Sequence, residues 1–345
     1  MEHWFPETMR ICSPTFPKRN LKKIWWFIKK KNNWQGVVMN KIAIMGARGF
    51  IGKNLTKHLE KEYLVFPITR ENFSLLDENM VEHFIESNNI DVIVHCANEG
   101  GSRKANQEFD VVKNNLQMFF NQERCLTGDR KLIAFGSGAQ YDKARDLVKV
   151  SESNMDEVVP KDAYGYSKYI ISKYCQGKSN IYNPIIFGLY GEHEDYTFKF
   201  ISNAILKNLL HMPIVINQNV IFDYLYLVDF LKIVDFIIDN ECEYNEFNMT
   251  PTKSIDLLSI AEMINACSEY KSEIIVKNEG MNYQYTGDNT RMLEMIGDFQ
   301  FTSYQEGISQ LYQYYYDNLN RIETQMIKDD QFFNQGHIFK HSFCR

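Results

Sequence analysis

The segment Gly46-Ala47-Arg48-Gly49-Phe50-Ile51-Gly52 constrains this chain more than any other, because its three evenly spaced glycines stand between an apolar run and an amphipathic one. Ile42-Ala43-Ile44-Met45 reads as a buried strand and Ile51 to Lys61 as a helix. At such a junction each glycine has its own reason. The first permits a tight turn, the second lets backbone approach a pyrophosphate, and the third lets helix and sheet touch. Unpaired N–H groups at the helix start then face the anion. The pattern predicts a dinucleotide cradle made of Gly46, Arg48, Gly49, Phe50, Ile51 and Gly52, against the plainer alternative of a structural turn.

Short apolar runs and amphipathic segments continue to alternate downstream, as in a parallel sheet covered by helices. Strands are expected at Tyr63 to Ile68, Asp91 to Cys96, Lys131 to Phe135 and Ile181 to Leu189, and helices at Asn79 to Ser87, Glu108 to Leu126 and Asp162 to Cys175. The expected fold is α/β, a Rossmann-type doubly wound parallel sheet with a smaller C-terminal α/β substrate-binding region. Residues 39–190 would form the dinucleotide-binding core, residues 191–320 mostly the substrate region, and residues 321–345 a tail. Ligands of such sheets collect outside the carboxyl ends of the strands, which here means Gly46, Ala97, Ser137 and Phe187. The Tyr312 to Tyr316 stretch reads as a helix packing its aromatic face on the body.

Composition narrows the classes. A formal charge of -6 argues against a general nucleic-acid binder, which needs a basic surface to displace counterions. The seven cysteines form no C-x-x-C pair and no metal-ligand spacing, so neither a disulfide framework nor a metal site is expected, and a reducing cytoplasm fits. No run approaches the roughly 18 apolar residues of a membrane span. Residues 1–38 differ from the rest: eight cations face only Glu2 and Glu7, which gives +6 and leaves -12 for the remainder. This basic extension reads as disordered, with weak contact to an anionic membrane surface through Lys22 to Lys31 as the alternative.

Tyr164 and Lys168 stand four apart and so share one helix face. A phenol with a reference pKa near 10 needs about 4 kcal/mol of phenolate stabilisation to act as a base at neutral pH. An ammonium at about 4 Å supplies that much at an effective dielectric of about 20. Tyr169 with Lys173 and Tyr174 with Lys178 repeat the spacing, but each step of five residues turns the helix by about 140°. Only Tyr164 begins the helix, beside the strand ends. Ser137, in Gly136-Ser137-Gly138, can hold the same substrate oxygen, although a lone serine there is more often a turn residue. After the second strand comes Thr69-Arg70-Glu71. Arg70 would grip the 2′-phosphate of NADP in bidentate fashion, whereas Glu71 would hold the ribose of NAD.

These residues resemble one family: the extended short-chain dehydrogenase/reductases, in particular the nucleotide-sugar epimerases, dehydratases and reductases. The similarity runs from about Lys41 to Tyr316. It rests on the glycine turn, His95-Cys96-Ala97, Asn114-Asn115, Gly136 to Tyr141, Tyr164 to Lys168, Phe187 to Gly191 and Phe222 to Asp229. The resemblance implies that Tyr164 is the acid/base, that Lys168 lowers its pKa and binds ribose, and that Ser137 positions the sugar oxygen. It also implies that Asn115 supports the site, that Ser74 and Leu75 lie by the adenine, that Cys96 and Ala97 line the cofactor, that Phe187 and Gly188 border the nicotinamide, and that Asp195 to Ile201 lie near substrate. The family's 4,6-dehydratases place an acid pair after the catalytic hydroxyl, where this chain has Gly138-Ala139. The family often has an arginine that grips the nucleotide diphosphate where this chain has Phe222. The expected activity is therefore NADP- or NAD-dependent reduction of a nucleotide-linked keto-sugar by a homodimer, with NADP favoured. An epimerase with tightly held NAD and a non-catalytic dinucleotide-binding protein are the alternatives.

Overall fold

The computed structural model describes residues 40–101 and 110–329, so the expectations for residues 1–38 and for the end of the tail lie outside the described residues. Six parallel strands form the central sheet: β1 (Lys41–Met45), β2 (Leu64–Ile68), β3 (Val92–His95), β4 (Lys131–Ala134), β5 (Ile181–Ile186) and β6 (Glu246–Met249). Their order is β2-β1-β3-β4-β5-β6, and Gly136–Ser137 adds a short seventh strand against β5. The order reverses at β1, which opens a crevice between the carboxyl ends of β1 and β3.

Strand periodicity sorts the core into two layers. Ile42 and Ile44 of β1 pack with Leu55 and Leu59 of helix α1 (Phe50–Leu59) and with Phe230, Ile233, Val234 and Ile237 of a later helix (Leu227–Asp239). Ala43 and Met45 face the opposite layer. There they meet Val81 and Ile85 of α2 (Glu78–Asn88), Met118 and Phe119 of α3 (Val111–Glu123), and Ile171 and Cys175 of α4 (Ala163–Cys175). The sheet is thus covered on both faces, as a doubly wound fold requires. The helix Leu227–Asp239 and strand β6 come from beyond residue 190 yet belong to this sheet.

Local chemistry sets the ends of these elements. The Asp77 carboxylate caps α2 by accepting the Met80 N–H at 3.1 Å, and Asn89 ends that helix in the left-handed region at φ 50°. Asp162 caps α4 by accepting the Gly165 N–H at 3.0 Å. Pro184 lies inside β5 and has no N–H for the ladder, and the Ala134 carbonyl beside it accepts instead from Asn183 Nδ2 at 2.7 Å.

Over the carboxyl ends of β4 and β5 lies a small four-stranded sheet, Ile255–Asp256, Ile221–Phe222, Tyr285–Gly287 and Leu147–Val150 in that order. A second apolar core lies among the helices Phe200–Leu209, Leu257–Ala266 and Tyr304–Asn318. The tyrosine-rich segment belongs to it: Tyr315 is buried and Tyr312 donates to Asn208 Oδ1 at 2.9 Å. None of the described helices is long and apolar enough to cross a membrane.

Candidate active site

The glycine cradle is built as close contact demands. Gly46 has φ +92°, and a Cβ there would lie 2.8 Å from the Ala97 backbone nitrogen. A Cβ on Gly52 would lie 2.3 Å from the Gly46 carbonyl oxygen and 2.8 Å from Ala47 Cα, so this glycine lets α1 rest on the turn. Gly49 differs. It is exposed, and a Cβ there meets nothing nearer than 3.5 Å, so its bare backbone faces the side from which a ligand approaches. It starts α1 without a side-chain cap, leaving the first amides of the helix, at Phe50 and Ile51, for an anion. A pyrophosphate fits this cradle.

Two guanidinium groups flank it. Arg48 and Glu71 pair at 2.6 Å on the surface, and Arg70, 88% exposed, lies 3.8 Å from Glu99. Exposed pairs of this kind contribute little stability and exchange readily for a ligand. Asn121 and Gln117 of α3 donate to the Leu75 and Leu76 carbonyls at 2.9 and 2.8 Å, which fixes the Ser74-Leu75 loop against the core. Asn115 is buried and plays the same part for the loop after β3. Its Oδ1 accepts the Glu99 N–H at 2.7 Å, and its Nδ2 donates to the Glu99 carbonyl and to Ser167 Oγ, both at 3.0 Å. The Cys96 N–H donates to the Met45 carbonyl at 2.8 Å, and burial pushes its thiol well above the ordinary range.

Tyr164, Lys168 and Ser137 converge beside this crevice. Ser137 and Tyr164 both keep part of their surface accessible. Ser137 ends the strand at β5 and starts a short 3-10 turn. Its Oγ accepts the Ala139 N–H at 3.3 Å, and its own N–H donates to Gln140 Oε1 at 3.2 Å, so it is both a cap and a site residue. The Ser137 hydroxyl lies close enough to the Tyr164 hydroxyl to draw its pKa down. The Tyr164 ring lies against Gly101, where a Cβ would be 3.3 Å away.

Lys168 stands over the Tyr164 ring, on the same side of α4. Its Nζ is 5.8 Å from the centre of the phenol ring and donates to the Phe135 carbonyl at 2.8 Å, because a buried ammonium needs an acceptor. Burial raises the Tyr164 pKa above its ordinary value, the Ser137 hydroxyl pulls it down, and Asp162 pushes it up. Burial also brings Lys168 down to about 8, opposed by the Cys96 and Cys175 sulfurs. At neutral pH both groups are therefore protonated. The other two tyrosine–lysine pairs are placed elsewhere: Tyr169 and Lys173 both bind Asp156, and Tyr174 donates to Glu123 at 2.6 Å while Lys178 binds its hydroxyl.

Residues 42–249 match the NAD dependent epimerase/dehydratase family, more than half of the chain. The chain belongs to that family. It is similar to the GDP-6-deoxy-D-talose 4-dehydrogenase of Aggregatibacter actinomycetemcomitans, with 23% identity across 79% of this chain and 97% of the relative. Among solved structures it resembles a GDP-L-fucose synthetase from Naegleria fowleri bound to NADP, with TM-score 0.70 and 16% identity over 82% of this chain and 95% of the other. It also resembles a GDP-mannoheptose C4 reductase from Campylobacter jejuni with NADP bound, with TM-score 0.70 and 17% identity over 81% of this chain and all (100%) of the other. As a member of the epimerase/dehydratase family the chain is a dinucleotide-dependent enzyme, and its cradle suits that cofactor.

In this family member the sequence pattern does not reveal every residue at the site. Tyr285 reaches in from the small sheet, and its hydroxyl lies over Gly138, next to Ser137. Its ring packs on Phe187 and Phe222, with centroids 5.1 and 5.5 Å apart, and Phe187 stacks on Tyr141 at 6.0 Å. Phe187 thus lies in an aromatic wall over Gly138. Asp223, fully buried, anchors that wall by accepting the Gly287 N–H at 2.9 Å and pairing with Lys149 at 3.2 Å. Near the expected substrate region, buried Glu194 accepts from Ser202 at 2.5 Å, and burial raises its pKa to about 7. Asp195 caps its own loop by accepting from Thr197.

Proposed function

We propose that the chain is an NADP-dependent reductase of a GDP-linked keto-sugar. The observation that carries this reading is the partly accessible Tyr164 phenol, which stands over the loop after β3 at Gly101 and beside the Ser137 hydroxyl. Reduction of a ketone leaves an alkoxide that needs a proton, and a phenol, protonated at neutral pH and far more acidic than the product alcohol, can give one. When bound, the dinucleotide supplies the hydride. Ser137 polarises the carbonyl oxygen and Tyr164 delivers the proton to it. Lys168 holds the nicotinamide ribose as an ammonium below pH 8 or so, given the value of about 8 to which its burial brings it. Phe187 borders the nicotinamide, Ser74 and Leu75 border the adenine, and Asn115 keeps the loop between them in place.

Beside Ser137 stand Gly138, Ala139, Phe187 and Tyr285, and none is a carboxylate that could serve the second proton transfer of water elimination. The GDP moiety is proposed from the relatives, whose own names carry it. The test is the oxidation of NADPH by purified protein mixed with GDP-linked 4-keto-sugars. Stoichiometric loss of NADPH with a new hydroxyl on the sugar supports the reading, and isomerised sugar with NADPH unspent contradicts it.

The cofactor preference has its own check. Arg70 is the more exposed guanidinium at the end of β2, while Glu71 is occupied by Arg48. Replacing Arg70 with alanine removes charge-assisted hydrogen bonds to a 2′-phosphate, so NADPH should bind about tenfold more weakly or worse while NADH is unaffected. Equal weakening for both dinucleotides in a fluorescence titration would place Arg70 elsewhere.

A further inference from the structure

Ser137 is fixed by its backbone as well as by the cap its side chain makes. Its N–H donates to Gln140 Oε1 at 3.2 Å, Gln140 Nε2 donates to Ser172 Oγ at 3.1 Å, and Ser172 in turn donates to the Glu246 carboxylate. Gln140 and Ser172 are fully buried and Glu246 nearly so, and none of the three takes part in the chemistry described above. We propose that Gln140 is a positioning residue of the site: its amide ties the turn that carries Ser137 to the helix that carries Tyr164, and so sets the spacing of the two hydroxyls about a substrate oxygen. This rests on the reductase reading and adds to it a clamp beneath the reacting groups.

Chemistry fixes the direction of each bond in this chain. A backbone N–H can only donate, so the Gln140 amide turns its oxygen to Ser137 and its nitrogen to Ser172. Ser172 accepts from that nitrogen and keeps its own hydrogen for the carboxylate at the far end. The chain also joins three separate elements: Gln140 belongs to the 3-10 turn Gly138–Tyr141, Ser172 to α4 and Glu246 to β6. On α4, Tyr164, Lys168 and Ser172 follow at intervals of four and so lie along one side of the helix. From that side Lys168 binds the Phe135 carbonyl at 2.8 Å and Ser172 binds Gln140, which fastens the segment around Ser137 to α4 at two points. The space is cut to the amide as well. A Cβ on Gly136 would lie 2.9 Å from Gln140 Oε1, so the glutamine passes directly over that glycine. An apolar side chain at position 140 would fill the same space and leave the Ser137 N–H without this acceptor.

The test is a double-mutant cycle, because Gln140 and Ser172 act as one link. Gln140→Met keeps the length of the side chain and removes both amide bonds, and Ser172→Ala removes the anchor alone. Each should lower kcat by about tenfold and leave KM for NADPH unchanged, while Gln140→Met/Ser172→Ala should be no slower than the slower single variant. A wild-type kcat in folded Gln140→Met, or losses that multiply in the double variant, would overturn the proposal. The same link is read without turnover from the Ser137 amide of the full chain labelled with 15N-serine, its signal being assigned through Ser137→Ala. Ser172→Ala should move that signal when Gln140 is present and leave it in place in Gln140→Met, whereas an equal shift in both backgrounds overturns the assignment. Where Gln140→Met does not fold, Ser172→Ala decides alone: an unmoved Ser137 amide with an unchanged kcat overturns the proposal. Failure of the wild type to oxidise NADPH would count against the reductase reading, while the amide signal decides the role of Gln140 separately.

Discussion

Tyr164→Phe should lower kcat by about 10²- to 10⁴-fold while NADPH binds as before, since a general acid contributes on that scale. Phenylalanine keeps the ring against Gly101 and loses only the hydroxyl beside Ser137. The fold should be unaffected, so thermal melting of the variant and the wild type should coincide. Steady-state rates paired with a dinucleotide titration separate chemistry from binding, and a rate within threefold of wild type would remove Tyr164 from the mechanism.

Gly52→Ala and Gly49→Ala should fail in different ways. The added methyl at position 52 would lie 2.3 Å from a carbonyl oxygen and 2.8 Å from a backbone carbon, neither of which can move without shifting α1 off β1. Overpacking of this kind costs about 3 kcal/mol at the upper end, so Gly52→Ala should melt several degrees lower and lose dinucleotide binding with it. At position 49 the nearest atom is 3.5 Å away and the backbone has an ordinary extended geometry, φ -72° and ψ 169°. That methyl should leave the melting temperature nearly unchanged and obstruct only the pyrophosphate. Equal losses of stability in the two variants would mean that the division of labour among the glycines is wrong.

What could be read from the sequence follows the range of the interactions. The cradle is written in seven consecutive residues, and the alternation of strands and helices comes from local periodicity, so both were legible. The pairing of Tyr164 with Lys168 on one helix face was legible for the same reason. The direction of the lysine was not. It depends on a carbonyl at Phe135, beyond the end of β4 in a separate element, which captures the ammonium. Tyr285 was invisible because nothing near it in sequence refers to Ser137. Its place is set by the pairing of Tyr285 with Leu147 and Phe222 and by a register shift before Gly287. Gly138 stood out only as a missing acid, and its positive reason, the phenol oxygen above it, required the fold.

The central claim is that this site sends a hydride to a sugar carbonyl while Tyr164 protonates the oxygen. Its most direct test is to supply NADPH carrying deuterium at the transferable position together with a GDP-linked 4-keto-sugar, and to analyse the product by mass spectrometry and NMR. The account predicts one deuterium on the carbinol carbon for every NADPH consumed. Product free of deuterium, formed while the labelled NADPH persists, would contradict it.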